Sequence, residues 1–172
     1  KSQIINFLQA ADFHISDLEI ESESIELDKF LQDRPNSREL LRARFKDVTK
    51  TAITKMDVRT VHTGSHGDKF LLDLNDESGG TQKFFAYAGP WLDVLKNGYV
   101  LIVDELNDNL HPNLVKFMVQ MFHDNKLNCE NAQLIFTTHE TSILSQEVFR
   151  RDQIWFAEKD EYNATTLYPL SD

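Results

Sequence analysis

The chain has 172 residues, with 18 Lys and Arg against 28 Asp and Glu for a formal net charge of -10, and 41% of its residues are apolar. That composition predicts one globular domain with a sizeable core, and the acidic balance excludes nucleic-acid binding through the whole surface, leaving only a local basic patch. The longest apolar run, residues 99–103, is far short of the roughly 20 residues a membrane-spanning helix needs. A single cysteine, Cys129, allows no intramolecular disulfide. The expectation is a cytoplasmic protein with no membrane partner, and a chain that opens on Lys1 reads as a piece of something longer.

Residues 1–11 carry Ile4, Ile5, Leu8 and Ala11 at helical spacing, as the end of a helix entering from upstream. Leu18 and Ile20 alternate with Asp17, Glu19 and Glu21, which predicts a half-buried edge strand; Ile25, Leu27 and Leu31 continue in a polar setting. Residues 34–59 are net basic, with Arg34, Arg38, Arg42, Arg44, Lys46, Lys50, Lys55 and Arg59. They read as a solvated charged face or as a contact for nucleic acid or a partner. Within them Ser37 is placed to cap a helix bearing Leu40, Leu41 and Phe45. Met56, Val58 and Val61, then residues 70–74, predict two strands around the loop 63–67.

The second half is more regular. Residues 81–95 predict a helix that Pro90 should kink or split. A buried strand at 99–103, a helix at 113–122, a second buried strand at 133–137 and a short helix at 142–149 follow, then strands at 153–157 and around 165–168. Phe84, Phe85, Trp91, Phe117 and Phe122 read as helix core, and Trp155 and Phe156 as strand core. Continuous apolar strands alternating with helices predict an α/β fold whose parallel strands are covered on both faces.

Three motifs carry chemistry. The apolar run 99–103 ends in Asp104 and Glu105, which delivers two carboxylates to the carboxyl edge of a parallel sheet, where such sheets bind ligands. In nucleotide hydrolases the first such carboxylate holds magnesium and the second orients or deprotonates the attacking water; the run also describes a plain buried strand followed by a solvated acidic turn. The run 134–136 ends in Thr137, Thr138 and His139. On a neighbouring strand His139 reaches the same edge, able to donate a hydrogen bond to a phosphate oxygen; alone, it is an ordinary surface histidine. Ser78, Gly79 and Gly80, flanked by Glu77 and Thr81, offer free backbone N–H groups at a helix amino terminus, a favourable place for phosphate, though the same tripeptide also makes a common turn and cap.

In this order, Glu77-Ser78-Gly79-Gly80-Thr81, then Val100-Leu101-Ile102-Val103-Asp104-Glu105 followed by Leu110-His111-Pro112, then Phe136-Thr137-Thr138-His139, the chain resembles the carboxyl-terminal lobe of ABC-type ATPase heads. Among these it resembles bacterial AAA/ABC-like ATPases related to the SMC and OLD proteins, several of which belong to abortive-infection and other anti-phage systems. The tail from Phe149 through Arg150, Arg151, Ile154 and Trp155 to Lys159 is similar too, and Ala10 to Asp17 more weakly. The resemblance is strong over residues 77–172 and thin over 20–60.

It implies a P-loop NTPase-like (ABC ATPase head) partial domain, mainly parallel sheet flanked by helices. Residues 1–76 would hold an incoming helix and a variable, partly basic segment, and residues 77–172 the signature, Walker B and switch-histidine lobe. By position, Ser78, Gly79 and Gly80 match the signature that contacts ATP held by the opposite protomer, Asp104 the magnesium-holding Walker B aspartate, Glu105 the catalytic glutamate and His139 the switch histidine. The implied cofactors are ATP and Mg2+; the implied partners are a second copy of the chain and a nuclease or toxin effector. Where many ABC heads carry an aspartate in the loop after the glutamate, this chain has His111. No G-x-x-x-x-G-K-[ST] occurs, and the glycines at 64, 67, 79, 80, 89 and 98 supply none. The fragment alone is therefore expected to be inactive, with the P-loop lobe outside it. The competing expectations are a non-hydrolysing scaffold with the head fold that binds a nuclease or toxin, and a two-metal nuclease built on Asp104 and Glu105.

Overall fold

The computed structural model describes residues 1–11, 13–26 and 52–171, in two compact units. One comprises His14–Glu77 with Lys1, the other Ser2–Phe13 with Ser78–Asp172. The expected features at Leu27, Leu31, Ser37, Leu40, Leu41 and Phe45, and most of the basic segment, lie outside the described residues.

The first unit is an antiparallel sheet of β1 (Ile15–Glu26), β2 (Ala52–Thr63) and β3 (Lys69–Asp73) in that order, with β1 at an edge as its alternating charges predict. The β2–β3 turn closes through Gly64 N–H to Asp68 O (2.8 Å), and Gly67 supplies the left-handed backbone it needs (φ 83°). Ile15, Leu18, Thr60 and Val61 are buried, whereas Ile20, Met56, Phe70 and Leu71 stay exposed. Asp73 caps a short 3-10 turn, Leu74–Asp76, so β3 stops one residue before the expected Leu74. Arg59 pairs with Glu21 across the strands (3.2 Å) and Lys55 with Asp57 (2.8 Å). These basic side chains are matched within the sheet, as a solvated charged face would be. Glu77 closes the unit, accepting from Thr60 Oγ1 and lying 2.6 Å from His62 Nε2.

The second unit places α1 (Ser2–Ala10), α2 (Gly79–Asn97) and α3 (Pro112–His123) with a parallel pair, β4 (Val100–Val103) and β5 (Gln133–Phe136). Each helix has sequence-encoded ends. Ser78 caps α2 by accepting Thr81 N–H, and Gly98 ends it in the left-handed region (φ 69°), where a Cβ would strike Glu130 O at 2.4 Å. His111 caps α3 by accepting Asn113 N–H, and Pro112 takes its first position. The helices share an aromatic core: Phe7 of α1 stacks on Phe84 of α2 (4.5 Å), and Trp91 meets Phe122 of α3 edge-on (5.4 Å) while its indole N–H donates to Met118 O. Phe84, Trp91, Val115 and Met118 are fully buried. The β4–α3–β5 connection puts both strands' carboxyl ends on one edge. A hairpin, β6 (Trp155–Lys159) with β7 (Thr165–Pro169), completes the unit.

The expected α/β class is what forms, with the parallel pairing located in β4–β5 and the other pairings antiparallel. Local expectations are adjusted at several points. Only one face of β4–β5 is covered: Val103 is buried, but Val100, Ile102 and Ile135 point outward and are exposed, because a strand turns alternate residues to opposite faces. Of the two effects expected of Pro90, the split does not occur: α2 runs unbroken through it, with Ala86 and Pro90 both exposed. Residues 142–149 form a 3-10 turn at Thr141–Ile143 and further turns instead of a helix. Ser145 N–H donates to Ile143 O at 2.8 Å, a tight turn where a helix would use the Thr141 carbonyl, and the Ser145 hydroxyl accepts Glu147 N–H as the cap of the single turn that follows. Trp155 is 60% exposed rather than core, and Gln153 belongs to a 3-10 turn, so β6 starts two residues later than expected.

Candidate functional site

The parallel register continues past β4. Thr137 N–H donates to Val103 O and Leu106 N–H to Thr137 O, both at 3.0 Å. Between these two bonds the Thr137 hydroxyl accepts Glu105 N–H at 2.8 Å and donates to Asp104 Oδ1. One threonine thus fixes the backbone of one acidic residue and the carboxylate of the other. Both carboxylates are exposed, and the loop that bears them is pegged by Leu106 and Leu110, which are buried. Glu105 holds a positive φ of 51°. The other described non-glycine residues with positive φ, Asn109, Asn131 and Asn163, are asparagines, the residue type most at home there. A glutamate in that region carries strain of the kind found at functional positions.

His139 arrives on the same edge one loop further on. Asn107 Nδ2 lies 3.0 Å from its Nε2, and Thr138 Oγ1 donates to Asn107 Oδ1 at 2.8 Å. The next residue, Glu140, accepts Ser142 N–H at 2.9 Å; that bond first, the Ser142 hydroxyl next and the nearby His139 last hold its carboxyl below the usual range.

The start of α2 abuts the acidic loop. A Cβ on Gly80 would stand 3.3 Å from Asn109 O, a tight contact that would push helix and loop apart by a few tenths of an ångström. Lys83 reaches from the same helix to Asp108 (3.1 Å), and that hydrogen bond raises its ammonium above the ordinary value, with the charge of Glu105 a lesser contributor. Ser78 spends its hydroxyl on Thr81, both as N-cap and side chain to side chain at 2.7 Å. The N–H groups of Gly79 and Gly80 belong to the first turn, which has no intrahelical acceptors, and the space a Cβ would fill at Gly79 is open to 4 Å.

All six residues singled out from sequence therefore lie in this unit. Asp104, Glu105 and His139 share one strand edge through Thr137 and Asn107, and Ser78, Gly79 and Gly80 open the helix that packs on the same loop. Asn107, Thr137 and Lys83 were not among them. Thr137 and Thr138 stood next to His139 in the motif, but their contacts with residues more than thirty positions away become visible only once the two strands are in register. His111, at the place of the ABC aspartate, is a helix cap through its Nδ1. The donor set fits Mg2+ and a polyphosphate: a carboxylate with one oxygen anchored and the other unused by the described residues is a hard oxygen ligand, and first-turn N–H groups suit phosphate. Among the described residues no group of three or more His, Cys, Asp and Glu side chains is placed to hold a metal ion, so the two-metal nuclease finds no ligand cluster there. No helix among them is long and apolar enough to cross a membrane.

Residues 1–145 match the model of the family described as "AAA domain, putative AbiEii toxin, Type IV TA system". The chain belongs to this AAA-domain family. No curated protein matches it by sequence. Among solved structures, a chain from "Structural biochemistry of ATP-driven dimerization and DNA stimulated activation of SMC ATPases" superposes with a TM-score of 0.52 at 12% identity, over 98% of this chain and 83% of that one. At that identity the likeness is one of fold, and it makes this member of the AAA-domain family similar to an SMC ATPase in architecture.

Proposed function

We propose that this chain is the signature-and-carboxylate part of an ATPase head that closes on Mg-ATP with a second copy, hydrolyses it, and so switches an effector, a nuclease or toxin, in cytoplasmic anti-phage defence. The observation that carries the reading is the Thr137 clamp, which orients Asp104 and Glu105 on the edge that also receives His139. Bound Mg2+ would neutralise charge on the transferred phosphate. Asp104 would hold that ion, Glu105 would orient and deprotonate the attacking water, and His139 would donate to an oxygen of the terminal phosphate. Ser78, Gly79 and Gly80 would present N–H groups to nucleotide held by the partner copy. The P-loop is assigned to a lobe outside these 172 residues; the exposed Val100, Ile102 and Ile135 share one face of β4–β5, which suits cover by further structure. The AbiEii description of the family and the ATP-driven dimerization named for the SMC structure support the reading.

The test uses the full natural gene product. Glu105→Gln should lower ATP turnover about a thousandfold, within the range of general-base catalysis, while its solution mass still shifts from monomer to dimer on adding Mg-ATP. Full turnover in Glu105→Gln removes that residue from its role. No mass shift together with no nucleotide binding selects the scaffold.

A further inference from the structure

We propose that Thr60 and His62 are positioning residues for the signature, acting through Glu77. The functional meaning of this inference rests on the ATPase reading above; the anchoring itself rests on the geometry of the first unit. Thr60 and His62 stand two residues apart on β2 and so project to one face of the sheet. Both reach the same oxygen: the Thr60 hydroxyl donates to Glu77 Oε1, and His62 Nε2 lies 2.6 Å from it. An ionised carboxylate only accepts, so the imidazole presents Nε2–H to it. Thr60 is fully buried and the Glu77 side chain is 9% exposed, whereas the carboxylates that pair with Arg59 and Lys55 elsewhere on the sheet stay in water. A carboxylate drawn that far from solvent needs donors to replace its hydration, and β2 supplies these two.

The backbone adds a second attachment. Glu77 N–H donates to Leu74 O at 3.3 Å and closes the 3-10 turn that Asp73 caps. One peptide bond further on, Ser78 accepts Thr81 N–H at its hydroxyl (3.1 Å) and Gln82 N–H at its carbonyl (2.9 Å). The chain therefore enters the signature from a residue tied down at both backbone and side chain, and loosening that residue loosens the cap that orders the first-turn N–H groups of Gly79 and Gly80.

The experiment uses the full natural gene product in a Glu105→Gln background and takes two readouts: amide hydrogen exchange at Thr81 and Gln82 without nucleotide, and the Mg-ATP concentration at which half of the protein is dimeric. Thr60→Val and His62→Ala should each speed exchange at Thr81 and Gln82 about tenfold, the size of one hydrogen bond to a charged group, while amides of α3 keep their parental rates. Each should also raise the Mg-ATP concentration for half-dimerisation about tenfold. Thr60→Ser, which keeps the hydroxyl, should restore both readouts, separating positioning from a folding defect. Exchange at Thr81 and Gln82 that is unchanged in both Thr60→Val and His62→Ala, or that quickens equally throughout α3, overturns the proposal. Exchange that quickens while the half-dimerisation point stays parental overturns the link from Glu77 to the signature. Exchange that quickens in a protein that never dimerises on Mg-ATP upholds the anchoring and overturns instead the ATPase reading.

Discussion

The sheet of the first unit and the parallel pair of the second divide structure and chemistry unequally. β1 and β2 run 12 residues each and bear none of the six candidate residues, whereas β4 and β5, at 4 residues each, deliver Asp104, Glu105 and His139. Geometry accounts for the difference. Antiparallel neighbours send their carboxyl ends in opposite directions, so the loops that follow them are separated; parallel neighbours bring two carboxyl ends to one edge. Two short strands are then enough to place side chains from residues 104–107 and 137–139 within hydrogen-bond reach.

Substitutions can break or sharpen that contrast. Phe84→Ala, deep in the helical layer behind the parallel pair, should cost about 3–5 kcal/mol in a urea melt; a much smaller loss would mean that the aromatic core does not hold α2. Thr137→Val keeps shape but removes both side-chain bonds to the acidic pair. In the full gene product it should lower ATP turnover about tenfold and change stability by roughly 1 kcal/mol. Equal activity would show that Asp104 and Glu105 need no clamp. Ser78→Ala should cost about 1 kcal/mol as a lost N-cap, read as a fall in Tm. Arg59→Ala, which breaks an exposed cross-strand pair with Glu21, should shift stability by no more than about 0.5 kcal/mol and leave turnover alone. Should it reduce turnover as far as Thr137→Val, the contrast between a chemical edge and a structural sheet would fail.

What could be read from the sequence follows the range of the interactions. The two long helices of the second unit were legible because apolar periodicity is local; the caps that the structure adds, Ser78 and Gly98 on α2 and His111 with Pro112 on α3, lie just outside the expected ranges. The acidic pair and His139 were legible because a motif is a local string. Residues 142–149 misled because Ile143, Leu144, Val148 and Phe149 have helical spacing, while the tight turn that Ser145 N–H makes to Ile143 O leaves no trace in hydropathy. Trp155 misled because a strand residue's apolarity does not say which face is covered. Asn107 and Thr137 escaped for a deeper reason: each matters through partners 31 to 33 positions away in sequence, across a strand register that must already exist.

The left-handed backbone at Glu105 sets the fold against its own chemistry. Glycine would occupy φ 51° without the clash that a Cβ makes with its neighbouring carbonyl, so selection for thermal tolerance alone would find little reason to keep a glutamate at that bend. The side chain proposed to activate water is held where the folded chain would be more at ease without it. Directed evolution of this protein that rewards heat resistance and ignores turnover should therefore drift away from glutamate at this position before it disturbs the aromatic core of α2 and α3.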